Sequence, residues 1–384
     1  MSEWKKVKLG DCCLKIGSGS TPKGGSTVYV ESGTSFIRSQ NVYNLSFDYN
    51  GLTHITEEAA NKLKGVTVFD EDILLNITGD SVARTCIVPN DVLPARVNQH
   101  VAIVRVDRKK MNGRFLNYYL ASPRMQAYML SLAVGKGASR NAMTKQMIEN
   151  FEVPCPPLDT QQRIATILSY YDSLIENYQK QIKLLEESAQ RLYKEWFIDL
   201  RFPGHENTKI VDGVPEGWEK KKITELLEIK YGKDHKALKD GIYPVYGTGG
   251  VMRYTERYLH NGESVLIPRK GSLNNILLVN GKFWTIDTMF YSIPKMDFVS
   301  KIAYFNLKEK DMYSFNIGAA VPSMTINILS TMDILLPSVN IRKDFENVLS
   351  KYFSLTLNLQ TQIRHLTEAR DRLLPKLMSG EIEV

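Results

Sequence analysis

The chain has 384 residues, 43% of them hydrophobic, with 49 Lys and Arg against 42 Asp and Glu and a formal net charge of +7. That is enough apolar material for two domains of ordinary size, and the modest basic excess suits an anionic partner without requiring one. No stretch approaches the roughly 18 apolar residues of a membrane span, Met1-Ser2-Glu3-Trp4 does not read as a signal peptide, and the four cysteines (Cys12, Cys13, Cys86, Cys155) form no CxxC pair; the reading is a cytoplasmic protein with reduced thiols and no membrane segment.

Residues 1–157 read as a mixed domain. The runs Thr67-Val68-Phe69, Asp72-Ile73-Leu74-Leu75 and Val101-Ala102-Ile103-Val104 are set apart by Gly, Asn, Asp and Pro, as strands joined by turns, and Phe115 to Leu120 reads as a short helix. From 158 to 200, Leu168, Tyr171, Ile175, Tyr178, Ile182, Leu185, Ala189, Leu192 and Trp196 alternate steps of three and four, which is a heptad seam. Asp159, with Gln162 three residues on, is the expected helix cap. Residues 201–217 read as a polar, Pro/Gly-rich linker. Residues 218–338 return to the mixed pattern, with strands at Ser264 to Ile267 and Ile276 to Val279 and a short helix at Lys301 to Phe305. Residues 339–384 carry a second seam of Leu349, Tyr352, Leu359, Ile363, Leu366, Leu373 and Leu377, lapsing at Thr356 and Arg370, with Asn340 as the expected cap. About 40 residues at 1.5 Å each make a rod of roughly 60 Å.

The two halves are copies. Gly137-Ala138, Met143-Thr144, Pro156, Tyr171, Gln181-Ile182 and Arg191-Leu192 recur as Gly318-Ala319, Met324-Thr325, Pro337, Tyr352, Gln362-Ile363 and Arg372-Leu373, at a constant offset of 181 residues. Upstream the offset drifts. Trp4-Lys5-Lys6 aligns with Trp218-Glu219-Lys220, Phe36-Ile37 with Pro244-Val245, Ser81 with Ser272, and Val97-Asn98-Gln99 with Ile286-Asp287-Thr288. Order is kept while loop lengths change, as in a shared fold with divergent loops. The expected class is α+β: two pseudo-symmetric domains, each with a mixed, mostly antiparallel sheet and short helices, separated by two long helices forming an antiparallel coiled coil.

The chemistry missing from the chain is informative. There is no GxxxxGK[ST] loop, no HExxH, no GxSxG, no zinc-ligand spacing and no Asn-Pro-Pro-aromatic or Asp-Pro-Pro-aromatic tetrapeptide. The six histidines are scattered, and His100, inside an apolar run, is expected to be buried. The expectation is a non-catalytic chain with no cofactor and no metal. What remains is polar loop chemistry suited to DNA. Arg and Lys can meet phosphate or guanine, and Asn or Gln can bridge adenine N6 and N7. The candidates in the first half are Arg38, Gln40 and Asn41, then Thr78, Asp80, Ser81 and Arg84, then Asn98, with Lys136 and Arg140 as backbone-gripping residues at the junction with the helix. Those in the second half are Thr248, Arg253 and Tyr254, then Arg269, Lys270, Ser272, Asn274 and Asn275. For each of them the competing reading is a solvated turn residue. Divergent loops on one repeated scaffold read as two readers of different sequence.

Several segments together resemble the DNA-specificity subunit of Type I restriction–modification systems. They are the Trp4 and Trp218 starts, Tyr246-Gly247, Arg269-Lys270-Gly271-Ser272, the run Met143-Thr144 through Pro154-Cys155-Pro156-Pro157 to Gln161-Gln162-Arg163-Ile164, and the closing Leu373-Leu374-Pro375-Lys376-Leu377-Met378-Ser379-Gly380-Glu381-Ile382. Asn340-Ile341-Arg342-Lys343 departs from the paired Gln that the family repeats there. The resemblance implies that 1–157 and 218–338 are target-recognition domains, each reading half of a split site in double-stranded DNA. The helices would be spacers that dock two modification (methyltransferase) subunits, and restriction subunits would supply ATP-driven translocation and cleavage. Three other readings stand beside it. One is a DNA-reading subunit of a related phage-defence methylation system. Another is a coiled-coil protein adaptor without DNA specificity, and the last is a cryptic enzyme, which would bind S-adenosylmethionine by itself.

Overall fold

Ile73–Asn76 and Val101–Val106 lie side by side, antiparallel, and are buried on both faces. Their alternate residues serve different cores. Ile73, Leu75, Ala102 and Val104 pack on the helical side, while Leu74, Val101 and Ile103 pack with Ile37, Val68 and Val97. This is why both strands read as continuous apolar runs: successive side chains leave a strand on opposite faces, and here neither face meets water. The computed structural model describes residues 4–134, 142–316, 318 and 321–384. It divides into two units, Met1–Gln179 with Thr361–Val384, and Lys180–Gln360.

In the first unit a four-stranded antiparallel sheet has the order Thr85–Ile87, Ile73–Asn76, Val101–Val106, Cys13–Ser18. A five-stranded sheet holds one parallel pair, Thr34–Ile37 with Ala95–Val97, and a short ribbon pairs Lys6–Lys8 with Glu152–Pro154. The second unit repeats the order with Leu277–Val279, Ser264–Pro268, Met289–Pro294 and Leu227–Tyr231. Its parallel pair is Asp240–Gly247 with Lys282–Thr285, and its ribbon is Glu219–Lys222 with Asp333–Leu336. The helix Gly113–Ala121 has its counterpart in Ser300–Lys308. Thr144 and Thr325 cap matching short helices by accepting from Met147 N and Ile328 N. Glu57–Lys62 has no helical counterpart among the described residues of the second unit, and Pro123–Ala133 is answered there only by the short 3-10 turn Met312–Phe315; the second unit also carries the hairpin Asp240–Gly247 with Gly250–Thr255.

Strand pairing moves the repeat alignment by one residue in two places. Val97 pairs with Ile37 and Thr285 with Tyr246. Asn98 N donates to Ile37 O at 3.0 Å, and Ile286 N donates to Tyr246 O at 3.1 Å. Asn98 therefore matches Ile286, Gln99 matches Asp287, and Ile37 matches Tyr246. A slip of one residue reverses which side chains face the core, and backbone pairing sets the register where sequence identity is thin.

The long helices are Leu158–Tyr193, followed by one wider π-helical turn at Lys194–Ile198, and Val339–Ser379. Both start one residue before the expected caps. Gln161 N donates to Pro157 O, so Asp159 lies inside the first turn and pairs with Arg163; Arg342 N donates to Ser338 O, so Asn340 is likewise helical. The seam faces inward. Leu168, Leu349 and Leu359 are buried, and Tyr171, Ile175, Tyr178, Ile182, Leu185, Leu192, Tyr352, Ile363, Leu366 and Leu373 are half-buried. Within the first unit the helices run antiparallel. Thr160 and Gly380 line one small cleft with Trp4, and further along Arg370 meets Asp172 at 2.6 Å. Arg370, a lapse in the apolar seam, is thus the cation of a network in which the Tyr118 hydroxyl also donates to Asp172. Burial and the adjoining carboxylate push the Tyr118 phenol far above its ordinary range. In the second unit Tyr193, Trp196 and Phe197 gather around Phe345, with Phe197 and Phe345 ring centroids 4.7 Å apart.

Residues 201–217 are folded onto the second unit. Phe202 is buried 4.6 Å from the Trp218 ring, and Ile210–Val211 pairs with Val214–Pro215. The aromatic at 202 outweighs the polar composition that reads as a linker. His100 is half-buried, not buried, because its Nδ1 reaches the Thr78 hydroxyl at 2.6 Å.

Replacing Arg370 by Ala leaves Asp172 and Tyr118 without their cation. The expected loss is about 2 kcal/mol, between the values for exposed and fully buried pairs. Urea unfolding followed by circular dichroism checks it, and the loss should shrink when Asp172 is already Asn.

Candidate nucleic-acid interface

At Gly19 the backbone lies directly on the peptide that links Val97 to Val101. Gly19 N donates to Val101 O at 2.9 Å and Ser20 N to Val97 O at 3.0 Å, and a Cβ at Gly19 would overlap the carbonyl oxygens of Val97 and Asn98. Gly232 does the same in the second unit. Its N donates to Met289 O, Lys233 N donates to Thr285 O, and a Cβ would overlap the Ile286 carbonyl. Only glycine permits that approach. Each unit thereby gathers its loops at one place.

In the first unit the gathered loops are 19–21, 38–51, 76–84 and 97–100. Ile77 N donates to His100 O, Asn76 Nδ2 donates to Ser39 O at 2.8 Å, and the Thr21 hydroxyl donates to Gln99 Oε1. Of the candidates, Arg38, Gln40, Asn41, Thr78, Asp80, Ser81, Arg84 and Asn98 all fall in this cluster. Their roles divide. Asn41 is fully buried: Oδ1 accepts from Arg38 N at 3.0 Å, and Nδ2 donates to the carbonyls of Asp48 and Asn50. Asn98 is buried too, accepting from His100 N at 3.1 Å. Both brace their loops through main-chain groups, Asn41 with both ends of its amide and Asn98 through its oxygen. Arg38 donates to Gly51 O at 2.6 Å, and Arg84 lies over the Tyr43 ring at 4.5 Å. Gln40 and Asp80 are exposed. Lys136 and Arg140 lie outside the described residues.

In the second unit the loops are 231–234, 246–250, 268–275 and 285–288, with Pro322 and Ser323 beside them. Arg269 N donates to Thr288 O at 2.8 Å, Gly271 N to Pro322 O at 3.0 Å, and Asn275 Nδ2 to Thr248 O. The same closure is found in both units: Met143 N donates to Ile77 O, and Met324 N donates to Arg269 O. Arg269 stacks over Tyr231 at 5.3 Å and donates to Asp287 O at 3.2 Å. Asn274 is exposed but tied, accepting from Met312 N at 2.8 Å. Lys270 and Ser272 are exposed beside it, and Tyr254 is exposed on the hairpin. Arg253 is engaged elsewhere, by the Leu238 carbonyl and by Asp240 at 2.7 Å. Sequence reasoning passed over Thr21, Tyr231 and Lys233, whose only signal was proximity to a glycine that matches across the repeat.

The chemistry is that of hydrogen bonding and charge. Burial pushes the Cys13 and Cys86 thiols up to about 12, which keeps them protonated. Among the described residues no cluster of His, Cys, Asp and Glu is placed to hold a metal ion, and no helix is long and apolar enough to cross a membrane.

The sequence matches the family model described as the Type I restriction modification DNA specificity domain at residues 1–187 and again at 215–368. It is similar to the Type I restriction enzyme MjaIX specificity subunit of Methanocaldococcus jannaschii, at 26% identity covering 100% of this chain and 94% of the relative. It is also similar to the HindI specificity subunit of Haemophilus influenzae, at 21% identity covering all of both chains. The crystal structure of a Type I restriction–modification S subunit from M. genitalium shares the fold, with a TM-score of 0.61 at 16% identity over 97% of this chain and 96% of that one.

The split between loop-building and outward residues can be measured. Asn41→Ala removes three hydrogen bonds at a buried site and should cost about 2–3 kcal/mol, while Lys270→Ala should stay within about 0.5 kcal/mol of the parent in thermal unfolding.

Proposed function

The chain belongs to the Type I restriction–modification DNA specificity family, and from that premise we propose that its two loop clusters each read one half of a split site in double-stranded DNA. The observation that carries this is the pair of matched loop clusters. Both are built on the same glycine shelf and closed by the same backbone bonds, yet the first exposes Gln40, Asp80 and Gln99 and the second Lys270, Ser272 and Asp287. A duplicated scaffold with divergent tips suits two different half-sites. The net charge of +7 favours the phosphate backbone, and Lys270, Arg38 and Arg84 bring positive charge to the clusters.

The long helices set the distance between half-sites and dock two modification subunits, which carry S-adenosylmethionine and flip the target base. Restriction subunits supply the ATP-driven steps. This chain contributes address and assembly in the cytoplasm and performs no catalysis itself. Half-sites read from one face of a duplex lie about 34 Å apart per turn, which rods of roughly 60 Å can span.

Methylation mapping in cells that express the chain with its cognate modification subunit tests the role. Marks at a split motif, lost when this chain is omitted, are expected; marks that persist without it would overturn the reading. Lengthening both helices by one heptad, about 10 Å, should lengthen the preferred spacer by about three base pairs, and an unchanged spacer would end the ruler role. Lys270→Ala should lower the slope of log affinity against log salt by about one, as measured by fluorescence anisotropy with duplex DNA.

A further inference from the structure

Gln99 and Asp287 occupy the same place in the repeat. Each follows the residue whose N–H closes the parallel pair, Asn98 onto Ile37 and Ile286 onto Tyr246. Those preceding residues turn inward: Asn98 is buried, and Ile286 packs against the small core of Leu266, Phe283 and Met289. Alternation then sends Gln99 and Asp287 outward, and both are exposed. The backbone beneath them is pinned by the Gly19 and Gly232 contacts, so neither sits on a loose tip.

Their side chains are the variable part of an otherwise repeated arrangement. Gln99 is oriented by the Thr21 hydroxyl, which donates to its Oε1, leaving the Nε2 hydrogens and the second oxygen lone pair outward. That is the donor–acceptor pair which matches adenine N7 and N6 in the major groove. Asp287 offers acceptors only, while Arg269 donates to its main-chain oxygen and holds that carbonyl in place. A carboxylate facing DNA is repelled by phosphates, so it is compatible with the interface where it accepts from a base amino group, as cytosine N4 provides.

We propose that Gln99 and Asp287 are equivalent base-reading residues of the two domains, Gln99 taking an adenine in one half-site and Asp287 a cytosine in the other. This rests on the DNA-reading role proposed above. Arg269 is then a positioning residue for Asp287.

The test is methylation mapping with the full chain and its cognate modification subunit, comparing the parent with Gln99→Ala and Asp287→Ala. Each variant should relax one base position, an adenine in one half-site or a cytosine in the other, by about ten- to hundredfold in discrimination, with the opposite half-site unchanged. Thermal unfolding should match the parent, since both residues are exposed. An unchanged motif in both variants would overturn the assignment, as would equal weakening at both half-sites with the motif kept. If the parent itself gives no marks that depend on this chain, the DNA-reading role fails and this inference with it.

Discussion

One backbone laid against another governs the loops of both units. At Gly19 and at Gly232 the main chain sits on carbonyl groups of the segment that crosses from one sheet to the next. A methyl group at either position would have to displace backbone, which has nowhere to go between two strands already paired on their other edges. The crossing segment is thereby fixed, and it fixes the loops after Ile37 and Tyr246 and after Ile77 and Arg269 through successive N–H donors. Everything that faces outward hangs from this arrangement, and side-chain identity is free to vary above it.

The polar residues of these loops do two kinds of work. Asn41, Asn76 and Asn98 each hydrogen-bond main-chain groups and would cost folding energy if removed. Gln99, Lys270, Ser272 and Asp287 are exposed, and surface positions of this kind usually tolerate substitution with little change in stability. Such a division lets the outward side chains vary while the scaffold beneath them is kept, since those positions lie away from the core. Two exposed carboxylates of the clusters, Asp80 and Asp287, limit what can approach, because an anionic partner must supply hydrogen-bond donors there.

The long helices tie into each unit by different chemistry. In the first unit an ionic and phenolic network of Arg370, Asp172 and Tyr118 stands where an apolar residue would continue the seam. In the second, tilted and edge-on aromatic rings gather around Phe345, and buried Lys301 pairs with Glu263 and Glu346.

The sequence alone determined the duplication, the α+β class, strands read at 72–75, 101–104 and 264–267, short helices read at 115–120 and 301–305, and the two heptad seams. These rest on periodicity and composition, which each residue carries locally. It could not decide the register of the repeat at Asn98 and Ile37, where the residues share little and one step reverses inside and outside. Nor could it separate Asn41 and Asn98 from the outward residues beside them, since an asparagine that builds a turn and one that faces a partner have the same local signature. The apparent linker at 201–217 likewise became part of the second unit, because Phe202 finds Trp218 only once the chain is folded. In each case burial and hydrogen-bond partners come from residues distant in sequence, so only the tertiary structure decided them.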